Sequence, residues 1–362
     1  MSGIKHPGQP TMHKYNIDQK LIALIQELYS QATSSVYFDG DIGEWFRTTV
    51  GVRQGCLLSP TLFNILLERI MIDALNDHES TVSIGGRTVS NLRFADDIDG
   101  LAGSEHELSE LIRKLNDSCV SYGMEISAEK TKIMTNTHAN GLQNDIVING
   151  SVLQCVDQFV YLGAFVSDSG SRTEILSRMA KAQSSLSKLK VVWNDKFISV
   201  SSKIRLLRTI VISVFLYACE SWTLDVYLEN RIASFEMRCL RRILNIDYRD
   251  HVTNVSVREK VTAEIGQHQE LLDIVKSRKL KWFGHTTRKS GLAKDCLQGT
   301  VRGGRGRGRP RKKWSDNVKE WTGLSFAEAT RAAERRDDWR GVVRKATSSA
   351  GPQQRRTALR EQ

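Results

Sequence analysis

The chain has 362 residues, 40% hydrophobic and 26% charged, enough apolar content for one or two packed domains and too much for a wholly disordered chain. Its formal charge of +11 is unevenly spread: residues 1–150 carry 12 basic and 19 acidic side chains, residues 151–300 carry 23 and 15, and residues 301–362 carry 17 and 7. An acidic front and a basic back suit a polyanion held at the back while cations neutralise it at the front. Six widely spaced cysteines, Cys56, Cys119, Cys155, Cys219, Cys239 and Cys296, form no CxxC and no Cys/His cluster, which argues against a disulfide framework or a zinc finger. The polar start, Met1 to Asn16, lacks the apolar stretch of a signal peptide, and the longest apolar run, Ile210 to Cys219, is too short to span a bilayer, so no membrane association is expected.

In chain order, residues 1–16 read as disordered, and the spacing of Leu21, Ile22, Leu24, Ile25 and Leu28 predicts a helix over Gln19 to Tyr29. Two strands, Ser34 to Phe38 and Glu44 to Val50, follow around Asp39-Gly40-Asp41. The loop Gly51 to Pro60 then feeds a helix from about Thr61 to Asn76, with Ser59 as N-cap and Pro60 at the first helical position. A hairpin of Asn91 to Ala95 and Ile98 to Ala102 leaves Asp96 and Asp97 at the bend. Ser104 caps a helix to Tyr122, which Gly123 stops. Short strands at Met124 to Ile126 and Lys132 to Thr135, a hairpin at Ile146 to Leu153 and the run Phe159 to Val166 complete an α+β region in which helices cover one side of a sheet.

After the turn-forming stretch Ser167 to Ser171 the pattern becomes helical: Glu174 to Val192, Ser201 to Tyr217, Leu228 to Ile246 and Ala263 to Phe283. Near residue 300 the composition shifts again, to Arg302-Gly-Gly-Arg-Gly-Arg-Gly-Arg-Pro-Arg-Lys-Lys313, a tract with no apolar residue that reads as extended. Short helices around Trp314 and Trp339 precede a tail, 346–362, expected to be disordered.

Two segments carry residue types suited to chemistry. Asp96 and Asp97, flanked by Leu92, Phe94, Ala95 and Ile98, are paired carboxylates of the kind that bind a hard divalent cation, although Asp is also common at turns for its own sake. The loop Gly51-Val-Arg-Gln-Gly-Cys-Leu-Leu-Ser-Pro60 brings two glycines, an amide and a hydroxyl to a helix start, where backbone N–H groups can face an anion; the same residues also serve as ordinary helix initiation. The spaced histidines His251, His268 and His285 lack the neighbours of a metal site, and Trp193, Trp222 and Trp282 read as helix packing rather than base-stacking platforms.

Taken in order, Gly51-Val-Arg-Gln-Gly-Cys-Leu-Leu-Ser-Pro-Thr-Leu-Phe-Asn64 and Leu92-Arg-Phe-Ala-Asp-Asp97 resemble the palm of reverse transcriptases of non-LTR (LINE-like) retrotransposons. Gly123-Met-Glu-Ile-Ser-Ala-Glu-Lys-Thr-Lys132 is similar to the lysine-bearing palm motif, and Phe159-Val-Tyr-Leu-Gly163 to the primer-grip region. Leu216 to Trp222, Trp282-Phe-Gly-His285, Gly308 to Trp314 and Asp338-Trp-Arg340 resemble the region that trails the polymerase in related elements. The likeness covers roughly residues 17–345 and implies the C-terminal part of such an enzyme. Its expected architecture is α+β: a partial palm, an antiparallel sheet with helices, over 17–170, a mostly helical thumb-like module over 171–290, then a basic Gly/Arg tract with short helices over 291–345.

The resemblance implies RNA-templated DNA synthesis from deoxynucleoside triphosphates by two-metal Mg²⁺ chemistry, with an RNA template and a DNA primer as partners. It assigns Asp96 as metal ligand with Asp97 beside it, and Lys130 near the leaving pyrophosphate. Arg53, Gln54 and Gly55 would lie against template and nucleotide, with Ser59 and Pro60 shaping that loop, and Tyr161, Leu162 and Gly163 would form the primer grip. Arg305, Arg307, Arg309, Arg311, Lys312 and Lys313 would contact nucleic acid, as phosphate contacts or as an AT-hook-like reader, or else form a solvated linker. In the family a further strand with a metal-binding aspartate precedes the segment that Ile17 to Tyr29 resembles, and residues 1–16 contain no Asp. The chain alone is therefore expected to be weak or inactive unless another chain or segment supplies that strand; the alternative is a non-catalytic nucleic-acid-binding remnant. The family's habit of priming on chromosomal DNA, with the basic run Arg309 to Lys313, suggests a nuclear location, the alternative being cytoplasmic.

Overall fold

The computed structural model describes residues 9–48, 51–135, 145–167, 170–299 and 311–348. These form two compact units, one up to Val156 and one from Asp157.

In the first unit, helices α1 (Gln9–Lys14) and α2 (Gln19–Ser30) precede strands β1 (Thr33–Ser34), β2 (Tyr37–Phe38), β3 (Asp41–Ile42) and β4 (Phe46–Arg47). Helix α1 lies within the stretch expected to be disordered; burial of Thr11 and Met12 accounts for its order. Asp18 caps α2 by accepting a hydrogen bond from the Lys20 N–H at 2.8 Å. Next come α3 (Ser59–Leu75), β5 (Ser83–Ile84), β6 (Arg87–Thr88), β7 (Asn91–Phe94), β8 (Asp97–Gly100) and α4 (Glu105–Ser121). Strand β9 (Lys132–Ile133) and then β10 (Val147–Ile148), β11 (Ser151–Val152) and β12 (Gln154–Cys155) close the unit.

The expected sheet layer is replaced by separate two-stranded ladders: β1 with β4, β2 with β3, β5 with β6, β7 with β8 and β10 with β11, all antiparallel, while β9 and β12 pair in parallel. The strands Ser34 to Phe38 and Glu44 to Val50 are thus two nested ladders, and Met124 to Ile126 carries no strand. Thr49 and Val50 lie outside the described residues.

The core of this unit is the packing of α3 on α4. Leu66, Ile70 and Cys119 are buried together with Leu115, Met124 and Ile126, and the Ser118 hydroxyl donates to the Ile70 carbonyl at 3.0 Å. Helix α4 has the expected ends: the Ser104 hydroxyl accepts from the Glu107 N–H at 3.1 Å, and Gly123 turns the chain at φ +68°. Glu107 is buried and accepts hydrogen bonds from the N–H groups of Thr81 and Gly103, each at 3.0 Å, and from the Thr81 hydroxyl. Burial raises its pKa, and these donors more than reverse the effect, so the carboxyl titrates below its ordinary range.

The second unit opens with β13 (Gln158–Tyr161) and β14 (Ala164–Ser167), an antiparallel hairpin where the sequence suggests a single run. Asp168 and Ser169 lie outside the described residues. Helices α5 (Arg172–Lys188), α6 (Lys190–Asn194) and α7 (Val200–Leu206) follow, then a π-helical stretch, Leu207–Ile212, and α8 (Ser213–Phe215). The expected helix Glu174 to Val192 is broken at Leu189, where the Trp193 indole N–H donates to the Leu186 carbonyl at 2.7 Å. In the π stretch the Thr209 hydroxyl donates to the Arg205 carbonyl at 3.0 Å.

Helices α9 (Val226–Ile243), α10 (Asn254–Ile265), α11 (Leu271–Thr287), α12 (Leu292–Gln298), α13 (Trp314–Thr322), α14 (Phe326–Glu334) and α15 (Arg336–Thr347) complete the unit. The predicted helix Ala263 to Phe283 is two helices, because Gly266 takes φ +74° between them. Ile175, Trp193, Val211, Phe215, Trp222, Ile232, Phe235, Leu240, Val261 and Val275 belong to one continuous core.

A second core lies against α11, where Leu280 and Phe283 meet Val318, Ala329, Ala333 and Trp339. Trp339 sits on Gly284: a Cβ there would collide with its ring, and its indole N–H donates to the Leu280 carbonyl at 2.7 Å. Lys279 is fully buried and donates to the Trp222 carbonyl at 2.7 Å and to Asn317 Oδ1 at 3.0 Å, with the Trp314 ring 4.3 Å away. Asn317 in turn holds both polar groups of the Leu224 backbone, at 2.8 and 2.7 Å. The segments quoted around Trp222, Trp282 and Trp314 thus carry residues of this packing. No helix among the described residues is long and apolar enough to cross a membrane.

Candidate active site

The hairpin β7–β8 pairs Phe94 with Asp97 and leaves only Ala95 and Asp96 in its turn. Sequence reasoning put both aspartates at the bend; Asp97 is instead the first residue of β8, a one-residue shift fixed by the ladder. Ala95 takes φ +54°, a left-handed conformation that side chains other than glycine, asparagine or aspartate rarely adopt. Both carboxylates are exposed. Two contacts seat the hairpin: the Arg93 guanidinium pairs with Glu68 on α3 at 2.8 Å, and Gly100 lies against the Leu111 side chain of α4, where a Cβ would come within 3.3 Å.

The second expected segment is closed by a hydroxyl. Ser59 is the first residue of α3, not its N-cap, and Leu58 occupies the cap position without a side-chain bond. Buried under the loop, the Ser59 hydroxyl donates to the Arg53 carbonyl at 2.5 Å, and the Tyr29 hydroxyl lies 3.3 Å from the same oxygen. With the Ser59 proton so engaged, Tyr29 is the donor. The Arg53 guanidinium lies over the Tyr29 ring at 5.9 Å, and Gly55 takes φ +83° with open space where a Cβ would sit. Arg53, Gln54, Gly55 and Pro60 are exposed. The Leu58 N–H favours the thiolate of Cys56, and with the Ser59 and Tyr29 hydroxyls it holds this thiol below its ordinary pKa despite partial desolvation. Tyr29 is a residue that sequence reasoning missed; it marked a helix end, and nothing local announced its hydroxyl's partner thirty residues on.

Lys130 is exposed on a turn that Thr131 closes by donating its N–H and its hydroxyl to the Ser127 carbonyl, at 3.0 and 2.8 Å. Among the described residues no ion pair joins Lys130 to Asp96 or Asp97, and no three His, Cys, Asp or Glu side chains are grouped to hold a metal. The donor chemistry of the aspartate pair fits magnesium nonetheless, since this ion takes hard oxygen ligands, often one or two carboxylates with several waters.

The remaining candidates lie in the second unit. Tyr161 ends β13, and Leu162 and Gly163, at φ +46° and +77°, form the turn to β14. Of the basic tract, Arg305, Arg307 and Arg309 lie outside the described residues. Lys312 is paired with Glu320 at 2.5 Å, and the Lys313 N–H donates to Asp316 at 2.7 Å at the start of α13.

Residues 6–166 match the family model for reverse transcriptase (RNA-dependent DNA polymerase). That segment is thus similar to a reverse transcriptase domain, and similar proteins come from non-LTR retrotransposons. An uncharacterised transposon-derived protein of Caenorhabditis elegans is 25% identical over 278 residues, 74% of this chain and 99% of that one. The RNA-directed DNA polymerase from the mobile element jockey of Drosophila funebris is 26% identical over 247 residues, 66% of this chain and 26% of that polymerase. A retrovirus-related Pol polyprotein from a type-2 retrotransposable element of Drosophila melanogaster is 28% identical over 120 residues, 33% of this chain and 11% of the polyprotein. The chain therefore spans only a minor part of the two polymerases.

Proposed function

We propose that this chain is the C-terminal part of a non-LTR retrotransposon reverse transcriptase, a partial palm followed by a thumb-like helical unit, acting in RNA-templated synthesis of DNA. The observation that carries the reading is the two-residue turn presenting Asp96 and Asp97 within the stretch that matches the polymerase family. Magnesium bound there would supply the positive charge that stabilises a triphosphate as it is attacked. Asp96 and Asp97 would hold that cation, Lys130 would offer a positive charge to the leaving pyrophosphate, and the Arg53–Gly55 loop, braced by Ser59 and Tyr29, would lie against template and nucleotide. Tyr161, Leu162 and Gly163 meet the primer, while Arg311 to Lys313 and the arginines before them contact phosphates.

Because the described residues group no third acidic side chain with the aspartate pair, full activity requires a carboxylate from another segment or chain. The same observation favours the second reading, a nucleic-acid-binding remnant without catalysis. We place the protein's work in the nucleus, where chromosomal DNA would serve as primer. Primer extension on an RNA template with Mg²⁺, compared with Asp96→Asn, separates the two. Extension lost in the variant by about a thousandfold supports the polymerase. Salt-sensitive binding without any product supports the remnant.

A further inference from the structure

The turn Leu162–Gly163 is held more firmly than a hairpin needs. Leucine at φ +46° is in a conformation it rarely adopts, and its side chain is 38% exposed, so burial does not compensate. A turn of this kind is ordinarily made by Asn-Gly, with no support from outside the hairpin. Here helix α5 and the turn that follows α8 converge on it. The Tyr217 hydroxyl donates to the Leu162 carbonyl at 2.6 Å, and Arg178 Nη2 donates to the Gly163 carbonyl. Glu174 accepts from Arg178 Nε at 2.6 Å through one oxygen and from the Phe165 N–H at 2.8 Å through the other. The Arg178 guanidinium also lies over the Tyr217 ring at 4.3 Å.

The Glu174–Arg178 pair is buried, and its hydrogen bonds are directed at the hairpin. A buried pair of this sort adds little net stability over an apolar substitute, but it fixes geometry. Strain at an exposed tip, over-determined by buried side chains, is the signature of a contact element held in readiness. With both turn carbonyls engaged by donors, the tip offers N–H groups and an apolar side chain, which complement a phosphodiester and its sugar.

We propose that Arg178, Glu174 and Tyr217 are positioning residues that hold the Leu162–Gly163 turn preformed for the terminal nucleotides of a primer strand. This rests on the polymerase reading above. It is tested on the full chain, with Leu162 replaced by a photo-crosslinking residue and with a fluorescent DNA primer annealed to an RNA template as probe. The expected result is crosslinking to the 3′-terminal nucleotides of the primer, reduced about fivefold by Tyr217→Phe, the loss of one hydrogen bond. Total hybrid binding, dominated by phosphate contacts elsewhere, changes less. Arg178→Lys, which keeps the charge and loses the fork, gives a similar loss; because it is buried, the inference is judged on Tyr217→Phe, with the melting temperature as control for folding. Unchanged crosslinking in a folded Tyr217→Phe protein overturns the positioning role. Hybrid binding without crosslinking from position 162 overturns the contact while leaving the polymerase reading intact. Absence of any hybrid binding at low salt removes that reading and this proposal with it.

Discussion

The two units bury their large side chains in opposite ways. In the first, Tyr37 and Phe38 on a short ladder and Trp45 just before another are 67–80% exposed, and its buried clusters are small. In the second, Trp193 and Trp222 are 1% exposed within a core that runs from Ile175 to Val275. Two-stranded ladders are marginal by themselves, whereas helices sharing one core stabilise each other. The difference teaches that the side chains suited to chemistry, Asp96, Asp97 and Lys130, sit on the unit with less hydrophobic closure. The cohesive unit contributes the hairpin tip and its supports.

That contrast is sharpened first by pH. Burial pushes the Glu236 carboxyl up to about 7, with the Leu271 N–H, at 2.8 Å, its one hydrogen-bond donor among the described residues, and pushes Lys279 down to about 7. Between the ordinary carboxylate value and 7, folded Glu236 keeps a proton that the unfolded chain releases, so stability falls as pH rises. From 7 to the ordinary lysine value, the unfolded chain holds a proton that folded Lys279 has lost, so stability rises. The expected profile for the helical unit has a minimum near neutrality, with limbs of at most roughly 3 and 5 kcal/mol. Urea unfolding at pH 5, 7 and 9 should find the acid-side limb absent in Glu236→Gln and the alkaline limb absent in Lys279→Met.

Next in size, Gly284→Ala drives a methyl into Trp339 and is expected to cost about 3 kcal/mol. If the ring has no room to shift, Gly284→Ala adds little in a Trp339→Ala background, and a double-mutant cycle measures that coupling. In the first unit, Glu107→Gln should cost about 2 kcal/mol by weakening the charge-assisted bonds from Thr81 and Gly103. Because the Glu107 pKa is lowered, its contribution is full above the ordinary carboxylate range and lost as pH falls below it, so acid titration should affect wild type more than variant. The smallest effect is expected of Ala95→Gly, which relieves φ +54° and should stabilise the β7–β8 hairpin by about 1 kcal/mol, read as slower amide exchange of that hairpin alone.

Features written in neighbouring residues were legible in the sequence. Helix α4, with Ser104 before it and Gly123 after, follows from its own caps and spacing, and the β7–β8 hairpin follows from its alternation with an error of one residue. What depends on distant partners was not. The pairing of β9 with β12 and the separation of the ladders are set by contacts the local pattern does not encode. The break at Gly266 was hidden because glycine inside an apolar-periodic run is tolerated often enough to be passed over. The aspartate pair could be read directly, whereas the bond that diverts Ser59 from capping to the Arg53 carbonyl, and the buried lysine on α11, required the fold.

The seating of Trp339 on Gly284 has a meaning for the history of such chains. Positions 284 and 339 are fifty-five residues apart, yet a larger side chain at the first leaves no space for the indole at the second. Neither can drift alone without loosening the C-terminal helices, so the two are expected to vary as a pair among descendants of a common ancestor. A relative that replaces the glycine while keeping the tryptophan should have rebuilt this corner of the molecule.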